Sequence, residues 1–85
     1  MEKTRIIMTE VKSPYGKYTK FTNKKTGKIL AEVDRRYGKY VIFGNRNELG
    51  SRTNKDSAIM FAQVYIREFI PDAEFKWSVV SQRIR

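Results

Sequence analysis

KILAEVDRRYGKYVIF, residues 28–43, is the stretch on which the fold turns. In its first arm Ile29, Ala31 and Val33 alternate with Leu30, Glu32 and Asp34, the period-two pattern of a strand with one covered face. Its second arm, KYVIF at 39–43, is rich in aromatic and β-branched residues and reads as another strand. Gly38 lies between them after a run of polar residues, where a hairpin loop of four or five residues takes a positive φ that glycine adopts at little cost. If Asp34 opposes Lys39, Val33 faces Tyr40 and Ala31 faces Ile42. One side of the hairpin then carries Ile29, Ala31, Val33, Tyr40 and Ile42, the expected core face.

The same chemistry recurs along the chain. YGKYTKFTN (15–23) and YGKYVIFGN (37–45) agree at six of nine positions, and NKKTGK (23–28) and DRRYGK (34–39) share Asn or Asp, two bases, any residue, Gly and Lys. Asn23 and Asp34 are expected to start turns by accepting backbone hydrogen bonds, with Gly27 and Gly38 closing them. Ser13-Pro14-Tyr15-Gly16 supplies a third turn, Pro14 setting φ at its second position. Strands are predicted near 4–11, 17–22, 28–34 and 39–43. The length of the KKTG loop decides whether Tyr18 or Phe21 turns inward, and analogy with the second copy favours Tyr18. Residues 44–52, GNRNELGSR, read as an irregular loop.

From residue 53 to 70 the period changes. Ala58, Phe61, Ala62, Tyr65 and Phe69 recur at helical spacing, and Ile59, Ile66 and Ile70 widen the apolar stripe beyond what one sheet face needs. Thr53 with Asp56 fits a capping box, and Pro71 stops the helix. In EFKWSVV (74–80), Phe75, Trp77 and Val79 alternate with Lys76 and Ser78 as in a further strand. The fold class is therefore α+β: an antiparallel β-meander of three to four strands packed by one amphipathic helix in the C-terminal half. A C-terminal strand is a candidate addition, and residues 1–85 form a single domain.

Composition narrows the function classes. Histidine and cysteine are absent, which removes the commonest general base, the thiolate nucleophile and the usual zinc ligands, so no catalytic residue, metal site or cofactor is expected. No apolar run approaches a membrane span or a signal-peptide core, so a cytoplasmic protein without membrane contact is expected. Eighteen Lys and Arg against nine Asp and Glu give a net charge of +9, which attracts polyanions. Residues 12–28 hold six lysines and no acid, interleaved with Tyr15, Tyr18 and Phe21, a pairing of phosphate-attracting charge with rings able to stack on bases. Lysines on an outer strand also serve simply to discourage edge-to-edge pairing.

Consecutive turns of a meander lie at opposite ends of the sheet. The Lys24-Lys25 tip, joined by Lys28 and Arg46, is therefore expected about 20–25 Å from the Arg35-Arg36 tip, joined by Lys12, Lys17 and Lys39. The leading expectation is a small non-catalytic protein that binds nucleic acid, DNA or RNA. Its phosphate contacts are Lys17, Lys20, Lys24, Lys25, Lys28, Arg35, Arg36, Lys39 and Arg46, with whichever of Tyr15, Tyr18 and Phe21 faces solvent for stacking. The alternative is a protein-interaction module, either docked on an acidic protein surface or a homodimer built through its helix, as the surplus stripe with Phe75 and Trp77 suggests.

Known modules give two comparisons. RYGKYVIF (36–43) matches an RNA-recognition pattern at Arg36, Tyr40, Val41 and Phe43, but Tyr37, Gly38 and Lys39 depart from it, and the early connections are short turns where that domain needs a helix. The order of a three-stranded meander followed by a helix, over residues 17–70, resembles the DNA-binding domains of the AP2 type and the arm-binding domains of phage-type integrases. That resemblance implies a sheet laid in the major groove.

Overall fold

The arms at 29–34 and 39–43 do form a hairpin, with a tighter turn than a four-residue loop. β3 (Ile29–Arg36) and β4 (Lys39–Gly44) pair so that Arg36 opposes Lys39, leaving only Tyr37 and Gly38 in the loop. Both are at positive φ, 53° and 74°, the signature of a type I′ turn. Val33 therefore faces Ile42, and Tyr40 faces Arg35. The slip from the expected register is two residues, so Ala31, Val33, Tyr40 and Ile42 keep the expected face. Asp34 starts no turn; it lies within β3, opposite Val41.

The computed structural model describes residues 3–14, 16–78 and 82–83. Before β3 come β1 (Thr4–Ser13) and β2 (Gly16–Asn23), an antiparallel pair in which Ser13 opposes Gly16; Tyr15, in the expected third turn, lies outside the described residues. Asn23 opens the 24–27 turn as expected: its Oδ1 accepts from the backbone N–H of Lys25 and Thr26, at 2.9 and 3.3 Å, and Gly27 takes φ 76°. A β-bulge follows, because Thr22 pairs with Ile29 and Phe21 with Ala31, leaving Leu30 without a partner. Without the bulge, a four-residue loop would set Lys20 opposite Ala31 and Tyr18 opposite Val33, on the covered face. With it, Phe21 and Thr19 turn inward and Tyr18 and Lys20 outward, the reverse of the assignment by analogy. Leu30 packs on the core in place of Ile29, which is half exposed.

Residues 44–52 are a strand as well. β5 (Asn47–Arg52) pairs antiparallel with β4 through a second two-residue turn, Asn45 and Arg46 at φ 49° and 64°. This fifth strand stands between the predicted meander and the helix, so the element order resembling the AP2 and integrase domains does not hold. Helix α1 (Lys55–Phe69) starts at Asn54, whose Oδ1 accepts from the N–H of Asp56 and Ser57 at 2.8 and 3.2 Å, in place of the expected Thr53 cap. It ends with the N–H of Ile70 bonded to the Ile66 carbonyl, one residue before Pro71. β6 (Ala73–Trp77) then returns parallel to β1, and the two-residue β7 (Gln82–Arg83) pairs with the far end of β1.

The result is α+β: a six-strand mixed sheet in the order β5-β4-β3-β2-β1-β6, with β7 as a short addition and one helix against one face. The core lies between helix and sheet, where Ile6, Phe21, Ala31, Val33 and Ile42 meet Ala58, Ala62 and Ile66. Each large apolar side chain buried there is worth roughly 1.5–3 kcal/mol. Ile59 and Ile66 belong to this core and Ile70 packs against it, so they are no surplus; Met60, Val64 and Phe69 are the exposed apolar residues of α1. Two glycines let the helix settle. A Cβ on Gly44 would stand 2.7 Å from both Leu49 Cδ1 and Tyr65 Cε2, and one on Gly50 would stand 3.1 Å from the Phe61 ring.

Candidate functional site

The meander sorts the cations by end. Lys24 and Lys25 in the β2–β3 turn, Lys28 closing it, and Arg46 in the β4–β5 turn share one end of the sheet. Lys17, Arg35, Arg36 and Lys39 share the other, beside the β1–β2 and β3–β4 turns. The length of β3 separates the two ends by about 23 Å. Turns at one end are two strand spacings apart, about 10 Å. Lys20 lies between the ends on the helix-free face, opposite Glu32 and Thr9.

Partners divide the same residues differently. Lys17 Nζ lies 3.8 Å from Glu10 Oε1, and Lys55 Nζ at the start of α1 lies 3.6 Å from the other oxygen of that carboxylate. Arg36 Nη2 is 3.5 Å from Asp34 Oδ2, with its guanidinium 5.0 Å above the Phe43 ring. In contrast, Lys24, Lys25, Lys28, Arg35, Lys39 and Arg46 are exposed and make no ion pair with a described carboxylate. Among the described residues, the cations at the β2–β3 end are therefore unpaired, whereas the β3–β4 end mixes paired with unpaired cations. A cleft between the hairpins at that second end is lined by Glu10, Lys17, Thr19, Arg35, Tyr40 and Lys55.

On the helix-free face, burial shapes a small acidic group. The Glu32 carboxyl is held above the usual carboxylate range by burial and then by Asp34, against the pull of Lys20 and Arg36. Burial likewise raises Asp34, whose Oδ1 is enclosed without a hydrogen-bond partner while Oδ2 meets Arg36. Tyr18, opposite Asp34, has its hydroxyl pKa raised by burial and by both carboxylates. These acids face Lys20 and Arg36 and reduce what those two residues offer a polyanion. Among the described residues no three metal-ligating side chains gather at one point, and no helix is long and apolar enough to cross a membrane.

The aromatic partners fall elsewhere than expected. Phe21 is fully buried and Tyr18 is half-buried on the helix-free face, while Tyr15 lies outside the described residues. Tyr37 was not among the expected site residues, yet it is 98% exposed at the tip between Arg36 and Lys39. Its backbone is in the left-handed region, which a bulky side chain adopts only at a cost. Arg46 is also left-handed, a long cation at φ 64° in the second place of its turn, where Gly is favoured. The signal available in the sequence is the two-residue spacing between strand arms, which calls for Asn-Gly and finds Tyr-Gly at one turn and Asn-Arg at the other. No protein-family model, curated protein or solved structure matches this chain.

Proposed function

We propose that the chain is a small, non-catalytic nucleic-acid-binding protein that presents basic hairpin tips to phosphates and a tyrosine to an unpaired base. The observation that carries this reading is the pair of type I′ turns. Each holds, at a left-handed position, a residue that gains nothing there by packing: Tyr37 at 98% exposure, and Arg46 exposed and making no ion pair with a described carboxylate. Backbone strain that folding does not need points to a role in binding. Tyr37 supplies a planar ring beside Arg35, Arg36 and Lys39, and stacking of this kind tolerates any base. Lys24, Lys25, Lys28 and Arg46, which make no ion pair with a described carboxylate, supply charge for the backbone at the other end, with Lys17 and Lys20 as weaker, partly neutralised contributors.

Binding to a fluorescent single-stranded oligonucleotide, titrated across salt concentrations, tests the proposal. Six phosphate contacts on a single strand imply a loss of affinity of a few hundredfold between 50 and 200 mM salt, and on a duplex about a thousandfold. An affinity that ignores salt, or no binding at low salt, would overturn it.

A further inference from the structure

We propose that β5 and the outer flank of α1 form the interface of a two-fold symmetric homodimer. β5 is an edge of the sheet, paired with β4 on one side only. Beside it runs an open apolar groove along the helix, lined by Leu49, Met60, Phe61 and Val64, with Met60 and Val64 more than half exposed. The groove has a charged residue at each end. Arg52, its guanidinium 4.6 Å over the Phe61 ring, stands near the start of α1, and Glu68 near its end.

Charge selects a second copy as the occupant. Across residues 47–69 the acids Glu48, Asp56 and Glu68 cancel the bases Arg52, Lys55 and Arg67, so the whole net charge of +9 is carried by the rest of the chain. Two copies that repel elsewhere meet here without that penalty, whereas an acidic partner has no net charge to seek at this edge. The ends of the groove are also self-complementary. A two-fold axis beside β5 runs each strand antiparallel to its copy, sets Met60 against its equivalent with Val64 flanking it on the same apolar seam, and brings Arg52 of each protomer to Glu68 of the other. The interface shares no residue with the turns that hold Tyr37 and Arg46, so dimerisation and nucleic-acid binding fail separately.

Sedimentation equilibrium of the full chain, from micromolar to near-millimolar concentration, reads the mass directly. A species of twice 10.0 kDa is expected. Val64→Glu and Met60→Glu, both at exposed positions, are expected to raise the dissociation constant about tenfold or more, with unchanged circular dichroism. Arg52→Glu and Glu68→Arg should each dissociate the homodimer, while an equimolar mixture of these two variants should associate again. A monomer at every concentration would overturn the proposal, as would a dimer that none of these substitutions weakens.

Discussion

The 24–27 turn and the 37–38 turn join strands of the same meander, yet they are built on opposite terms. In the first, Asn23 accepts two backbone N–H groups and Gly27 alone takes the left-handed conformation, so each residue does what its chemistry favours. In the second, Tyr37 sits at φ 53° with its ring in solvent, and nothing in the fold rewards it. The 45–46 turn repeats the second case with Arg46. Among the described residues, non-glycine side chains take a left-handed backbone only at exposed tips, which is where a binding residue conflicts with a folding preference.

The contrast can be tested by exchanging residues, and the largest effect belongs to a glycine of a third kind. Gly44 is required for space and not for its φ, so Gly44→Ala should lose about 1–3 kcal/mol in urea unfolding, because its Cβ meets Leu49 and Tyr65. Gly27→Ala meets no atom within 4 Å and should lose about 1 kcal/mol from backbone strain alone. If Gly27→Ala were silent, the 24–27 turn would not be the well-matched one described. Arg46→Gly should gain a few tenths of a kcal/mol by completing an Asn-Gly turn, and should lower the salt slope of oligonucleotide binding by about one.

The smallest effect concerns Glu32 and depends on pH. Its raised pKa means that the ionised carboxylate is less favourable in the folded chain than in the unfolded one. Glu32 therefore contributes its stabilisation while protonated, below the ordinary carboxylate range, and loses it as pH rises through the raised value. Glu32→Gln should match the parent in acid and exceed it at neutral pH. Urea midpoints of both proteins across pH would show the two curves separating upward; a constant offset would mean that titration of Glu32 plays no part.

Sequence periodicity carries the faces of β4 and of β3 from Ala31 onward, because side-chain alternation survives a register slip of two. It does not carry the face of β2, since one bulged residue at Leu30 inverts that strand and no propensity marks the bulge. What marks it in hindsight is the conflict it removes, Lys20 against Ala31. β5 escapes notice for another reason: Asn47, Gly50 and Ser51 are poor strand formers, and the strand exists through its pairing with β4 and through an Asn-Arg turn that reads as loop. The helix is plain from its stripe, although Asn54 and not Thr53 caps it. Of the candidate site, meander topology places the basic tips at opposite ends. Which cations are neutralised depends on cross-sheet neighbours such as Glu10 and Asp34, and Tyr37 is recognisable only once the loop is known to have two residues.

The central claim is that Tyr37 is kept for binding against the interest of folding, and Tyr37→Asn tests both halves in one protein. Asn-Gly is the favoured type I′ pair, so the variant should unfold up to about 1 kcal/mol later in urea while binding a single-stranded oligonucleotide about tenfold or more weakly. A variant that is less stable than the parent, or equally tight on the oligonucleotide, would contradict the account.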